Sequence, residues 1–136
     1  MKARLFLEPA RDLADGATEA HHRSAAGRAY YAAFQEARAA LERWGIVIPP
    51  REGIHAAVRL RFNYAGDRDA QVIGQRLDDL VRLRNEADYK LASPGSFRDA
   101  KDAKEAIVKA AALIDLIDAI EADPSHRADV IASIRS

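Results

Sequence analysis

The sequence predicts an all-α fold, an antiparallel up-and-down four-helix bundle with one or two additional short helices. Aromatic residues are scarce, with four Tyr, four Phe and one Trp among 136 residues, while alanine is abundant. This composition favours packed helices over a β-sandwich. Apolar residues recur at spacings of three and four, and no segment shows sustained alternation of apolar and polar residues. Glycine and proline divide the chain into blocks joined by short connections, as in a bundle.

The strongest helical block begins at Thr18 or Ser24 and ends near Trp44. Gly45 follows it at a position typical of a helix C-cap, and Pro49-Pro50 prevent its continuation. Tyr30 is expected in the core, whereas the next residue along, Tyr31, points about 100° away and is free to line a groove or an interface. The apolar stripe of this block consists of Tyr30, Ala33, Phe34, Ala37, Leu41 and Trp44.

The other blocks show weaker patterns of the same kind. They are expected at about 5–14, 53–64, 69 to 88 or 91, and 97–122. The stretch 93–96 (Ser-Pro-Gly-Ser) breaks the chain, and Ser96 is a plausible N-cap for the last of these helices. Pro124 is expected to end that helix. The whole chain is therefore interpreted as one domain, residues 1–136, with a core at about 18–122 and a tail or short helix at 123–136.

Charge and cysteine content exclude several classes of protein. The 21 basic side chains balance 21 acidic ones, so the chain lacks the basic excess of most nucleic-acid-binding domains. Residues 23–90 carry eleven Arg and one Lys against nine acids, a local net charge of +3. There is no cysteine, which excludes disulfides and thiolate zinc sites and indicates a reducing, cytoplasmic compartment. No uncharged apolar run is long enough for a membrane span, and no motif for a metal or a cofactor is present.

The most informative local feature is the segment Arg84-Asn85-Glu86-Ala87-Asp88-Tyr89. Arg84 follows Leu80 by four residues, so it continues an apolar stripe, and Asp88 lies one further turn along, where it can pair with Arg84. A guanidinium on an apolar stripe must be paired or must face a cleft or a subunit interface. The spacing alone leaves open whether this is a structural pair that closes one end of the bundle or part of a site.

Two motifs resemble the HEPN superfamily (higher eukaryotes and prokaryotes nucleotide-binding). The segment 23–41, with its Ala29-Tyr30-Tyr31-Ala32 core, is similar to the SRAYYAxFxAARALL helix of that group. Leu77, Leu80 and the segment 84–89 match its L..L..RN.ADY signature, and 53–58 resembles the H..V start of its middle helix. The resemblance covers about residues 20–120.

The resemblance implies a helical homodimer, encoded in many cases beside a minimal nucleotidyltransferase as a toxin–antitoxin pair. It also implies metal-independent cleavage of RNA in a cleft formed across the dimer, by an Arg, a polar residue and a His four to six residues beyond the Arg. Arg84 matches the motif Arg and Asn85 the polar residue, and Asp88 and Tyr89 complete the candidate site.

The motif histidine is missing, because the next histidine after Arg84 is His126 and Tyr89 occupies the region where it is expected. A phenol is a poor base at neutral pH, so ribonuclease activity is an open question here. His55, at the start of the third block, is interpreted as a cap or packing residue.

The first hypothesis is therefore a toxin or toxin-like component that acts on or binds RNA through a dimeric cleft around Arg84. The alternative is a non-catalytic module that binds a nucleotide or a partner protein, with a structural Arg84–Asp88 pair.

Overall fold

The computed structural model describes residues 2–16, 18–48, 53–89 and 100–135, with Asp88 and Tyr89 described by their backbone alone. These residues form a short 3₁₀ turn followed by six α-helices, with no strand among them. The predicted all-α bundle with additional short helices is confirmed. The elements are the 3₁₀ turn Ala3–Phe6, α1 Leu7–Ala14, α2 Glu19–Arg43, α3 Ile54–Asn63, α4 Arg68–Tyr89, α5 Lys101–Ala122 and α6 Pro124–Arg135.

Helix α2 is the centre of the bundle, since it packs against α1, α4 and α5 and touches α3. Its ends follow the predicted signals. The Thr18 side chain accepts a hydrogen bond from the His21 backbone N–H, and Gly45 adopts a positive φ of 73° directly after Trp44. The Ile46 N–H then donates to the Leu41 carbonyl at 2.9 Å, which satisfies a carbonyl of the last turn.

The core lies between α2, α4 and α5 and is closed by α1, α3 and α6. Its largest fully buried side chains come from five of the six helices. Burying them supplies most of the driving force for folding. They are Phe34, Leu41, Val58, Phe62, Ile73, Leu77, Leu80, Leu113, Ile117, Ile120 and Val130.

The chain around Pro124 follows one of the two expected alternatives. Helix α5 ends at Ala122, and Pro124 begins α6, so the short helix forms. Proline suits a first helical position because its missing N–H has no partner there in any case. The Asp123 carboxylate accepts a hydrogen bond from the His126 N–H and caps the new helix.

Some predictions fall outside the described residues. These are the break at 93–96, the N-cap at Ser96 and the start of the fifth helix near residue 97, since the structure describes α5 from Lys101 onward. Among the described helices, none has the combination of length and apolar character needed to cross a bilayer.

Candidate functional site

The Asp78 carboxylate of α4 joins this helix to α3, because each of its two oxygens accepts a hydrogen bond from a side chain of α3. Arg59 donates from Nη1 to Asp78 Oδ1 at 3.0 Å, and Asn63 donates from Nδ2 to Asp78 Oδ2 at 3.1 Å. Gly74 of α4 allows this approach, because a Cβ at that position would lie 2.8 Å from the Asn63 backbone nitrogen. The two helices are therefore fixed in register, which sets where the first turn of α3 meets the rest of the bundle.

His55, in that first turn, packs against two aromatic rings of α2. Its imidazole lies nearly parallel to the Phe34 ring, with centroids 4.0 Å apart and planes 18° from parallel. It also stacks beside Tyr30, with centroids 5.7 Å apart, and its Nδ1 lies 2.5 Å from the Tyr30 hydroxyl oxygen. Tyr30 and Phe34 are buried, whereas His55 is exposed. The imidazole thus rests on the core and remains accessible to solvent.

The Arg84 side chain of α4 contacts the same Tyr30 ring. Its guanidinium carbon lies 5.1 Å from the centroid of the Tyr30 ring, within the range of a cation–π contact. Arg84, Tyr30 and His55 thus form a three-helix cluster, which we call the Arg84 cluster, and Phe34 forms its floor.

Positive charge surrounds the imidazole. Burial against the core lowers the pKa of His55, and the cations of Arg84, Arg59 and Arg38 lower that pKa further. His55 is accordingly neutral at neutral pH. Burial raises the pKa of Tyr30, while Arg84 and Arg59 oppose this rise, so Tyr30 is a neutral phenol. The Arg84 cluster therefore presents cations and neutral hydrogen-bonding groups, a combination that suits a phosphate anion.

The end of α4 is anchored by a buried arginine of α2. Arg23 donates from Nη1 to the Glu86 and Ala87 carbonyls at 2.7 and 2.9 Å, and from Nη2 to Glu19 at 3.2 Å. The carbonyls of a last helical turn have no intrahelical partners, and a cation there complements the helix dipole. Arg23 thereby fixes the turn of α4 that follows Arg84.

The sequence-predicted site residues have different outcomes. Arg84 lies in the cluster, whereas Asn85 is exposed. The side chains of Asp88 and Tyr89 lie outside the described residues, so the Arg84–Asp88 pair stays a prediction. Tyr30 is in the core as predicted, and it is a member of the Arg84 cluster as well.

The interpretation of His55 as a cap or packing residue missed its place in this cluster. Its contact with Tyr30 crosses from α3 to α2 over a separation of 25 residues. Such a contact cannot be predicted from local spacing. The H..V pattern placed His55 on the middle helix but did not say which residues its ring meets. Only the packing of α3 against α2 shows which rings His55 contacts.

A second group of polar residues joins α6 to the start of α4. Ligand atoms of Asp67, Asp69 and His126 all lie within 4.8 Å of one another, the spacing of a cation site. Each carboxylate already has a structural contact, however. Asp69 lies 2.9 Å from His126 Nε2, and Asp67 caps α4 by accepting from the Ala70 N–H. These contacts explain the group as a helix–helix junction.

Comparison with known proteins settles the family. The family model for the HEPN domain matches residues 1–120. This chain belongs to the HEPN-domain family. The match covers the 3₁₀ turn, helices α1 to α4 and nearly all of α5, and so includes every residue of the Arg84 cluster. Neither a curated protein nor a solved structure is significantly similar to the chain.

Proposed function

We propose that this HEPN protein is an RNA-directed, toxin-like component that holds an RNA phosphodiester at the Arg84 cluster. The observation that carries the proposal is the position of His55, whose accessible imidazole contacts the same Tyr30 side chain as the guanidinium of Arg84, although no histidine follows Arg84 in α4. HEPN membership supports the choice of an RNA-directed activity.

The chemistry of the cluster suits a phosphodiester. A guanidinium binds phosphate oxygens through paired N–H groups and stabilises charge that develops on them. Arg59 and Arg38 add positive charge nearby, and each is already engaged by a carboxylate, Asp78 at 3.0 Å and Glu42 at 3.5 Å. Arg84 lies over the Tyr30 ring, whose hydroxyl contacts the accessible imidazole of His55. We therefore expect Arg84 to be the cation that binds the phosphate.

The proposal extends to partners. A second copy of the chain would bring two Arg84 clusters to one cleft, and a minimal nucleotidyltransferase would act as the antitoxin. Both expectations come from the resemblance to HEPN toxins. Size-exclusion chromatography with light scattering tests the first, and co-purification with the product of the neighbouring gene tests the second.

The direct test compares growth and RNA integrity on expression of the wild type and of Arg84→Ala. We expect the wild type to arrest growth, and we expect the variant to lose at least tenfold in toxicity, since one charge-assisted contact to phosphate contributes about 1.5–3 kcal/mol. Arg82→Ala is the matched control, because Arg82 lies on the same helix and its side chain is 64% exposed. Equal harmlessness of all three proteins, with intact RNA, would overturn the proposal.

The cation–π contact favours a second candidate function. Because Arg84 is held over the Tyr30 ring, the cluster also fits a rigid module that binds a nucleotide or a partner protein without chemistry. Isothermal titration calorimetry with mononucleotides and with the neighbouring gene product tests this second hypothesis. Absence of binding to all of them would reject it.

A further inference from the structure

The contact between Tyr30 and His55 determines which imidazole nitrogen is available to a ligand. The Tyr30 hydroxyl oxygen lies 2.5 Å from His55 Nδ1. Tyr30 is only 2% exposed, so its hydroxyl is shielded from water, whereas His55 is exposed. Nε2 lies across the ring from Nδ1 and is therefore the nitrogen that a ligand meets.

The direction of this hydrogen bond follows from the single hydrogen that the buried hydroxyl has to donate. The other member of the cluster, Arg84, lies over the Tyr30 ring, and a guanidinium donates but never accepts. Within the cluster, Nδ1 is therefore the acceptor for the phenolic hydrogen. A neutral imidazole whose Nδ1 accepts carries its hydrogen on Nε2.

We propose that Tyr30 is a positioning residue that fixes His55 in the Nε2–H tautomer, so that the imidazole donates a hydrogen bond to a phosphate oxygen beside Arg84. The choice of an RNA phosphate as acceptor rests on the proposed function. In this arrangement, every group facing the ligand is a donor. His55 then binds phosphate and stabilises its charge, and it does not abstract a proton through Nε2.

The first test is ring-nitrogen NMR on the ¹⁵N-labelled full chain, with His55→Gln used to assign the His55 signals among the four histidines. At neutral pH we expect His55 to show a protonated Nε2 and a hydrogen-bonded, unprotonated Nδ1. In Tyr30→Phe, which keeps the ring and removes the hydroxyl, the signature of the hydrogen bond at Nδ1 should disappear. Tyr31→Phe is the matched control, because the neighbouring ring packs on Phe6 and lies outside the cluster. An Nδ1-protonated imidazole in the wild type would overturn the proposal.

The second test asks whether His55 acts as a donor. The probes are inorganic phosphate and a short single-stranded RNA with 2′-O-methyl groups, which binds without being cleaved. We expect His55→Ala to weaken binding of the RNA about tenfold. His55→Gln, whose amide N–H takes the place of Nε2–H, should remain within about threefold of the wild type. Equal losses in the two variants would contradict a donor role.

The two tests separate the inference from the function on which it rests. If the wild type binds the RNA but not phosphate, the diester is the ligand, and if it binds both, the site recognises the phosphate group itself. Either result supports the assignment of the acceptor. If the wild type binds neither, the proposed function and the phosphate acceptor both fail, while the NMR result still decides the role of Tyr30.

Discussion

Single residues of the Arg84 cluster have properties that their neighbours impose. His55 contacts the Tyr30 hydroxyl, and three cations act on it electrostatically: Arg84 of α4, Arg59 of its own helix and Arg38 of α2. None of these groups is an anion that would favour an imidazolium. Burial and the three cations hold the pKa of His55 below its ordinary value. The folded protein therefore takes up a proton at His55 less readily than the unfolded chain does.

This difference in proton binding predicts a pH dependence of stability. The contribution of His55 is fully present above the unfolded pKa of about 6.5 and is lost as pH falls through the lower folded pKa. Unfolding by urea, followed at several pH values between about 7.5 and 5, should show a smaller acid-side loss in His55→Gln than in the wild type. His21→Asn serves as a control for removal of a histidine outside the cluster. Parallel pH profiles for His55→Gln and the wild type would contradict the account.

Ion pairs that differ in burial hold whole elements in position. Arg4, in the 3₁₀ turn, binds Glu36 of α2 at 2.9 Å and Asp118 of α5 at 2.8 Å. Glu36 is only 5% exposed, and burial alone would raise its pKa, but the hydrogen bonds and charge of Arg4 lower that pKa overall. Arg4 thus ties the 3₁₀ turn to α2 through the buried, ionised Glu36 carboxylate and to α5 through Asp118.

Removal of Arg4 should therefore destabilise the bundle. Arg4→Met leaves the Glu36 carboxylate buried without its partner, and we expect a loss of about 1–3 kcal/mol in the free energy of unfolding. Arg82→Met is the matched control. It breaks an ion pair with Asp79 in which the arginine is 64% exposed, and such pairs contribute about 0–1 kcal/mol. Chemical denaturation measures both changes, and equal losses would show that the burial of Glu36 has no effect.

Most of the helices and their ends could be predicted from the sequence. Caps, glycines and apolar stripes are local signals, so the ends of α2 at Thr18 and Gly45 followed directly from them. After Pro124 the sequence left two alternatives, a tail or a short helix, because proline both ends one helix and suits the first turn of the next. The contacts of His55 could not be predicted from the sequence either, since they depend on how α3 packs against α4 through Asp78.

For the whole molecule, the balance of 21 basic and 21 acidic side chains restricts how RNA is bound. A neutral chain lacks the overall basic excess of most nucleic-acid-binding domains, so we expect a local cleft to supply the contacts to phosphate. The excess of +3 over residues 23–90 coincides with the segment that holds Tyr30, His55 and Arg84. RNA binding should therefore be confined to the end of the bundle where α2, α3 and α4 meet.

The most direct test of the RNA site is a chemical-shift titration of the ¹⁵N-labelled protein with 2′-O-methyl single-stranded RNA, followed at the backbone amides and at the arginine Nε–H groups. We predict that the largest shifts occur at His55, Arg59 and Arg84, and that Arg84→Ala weakens the binding at least tenfold. Shifts concentrated on α5 or α6, or equal affinity of the wild type and Arg84→Ala, would contradict the assignment of the Arg84 cluster as the RNA site.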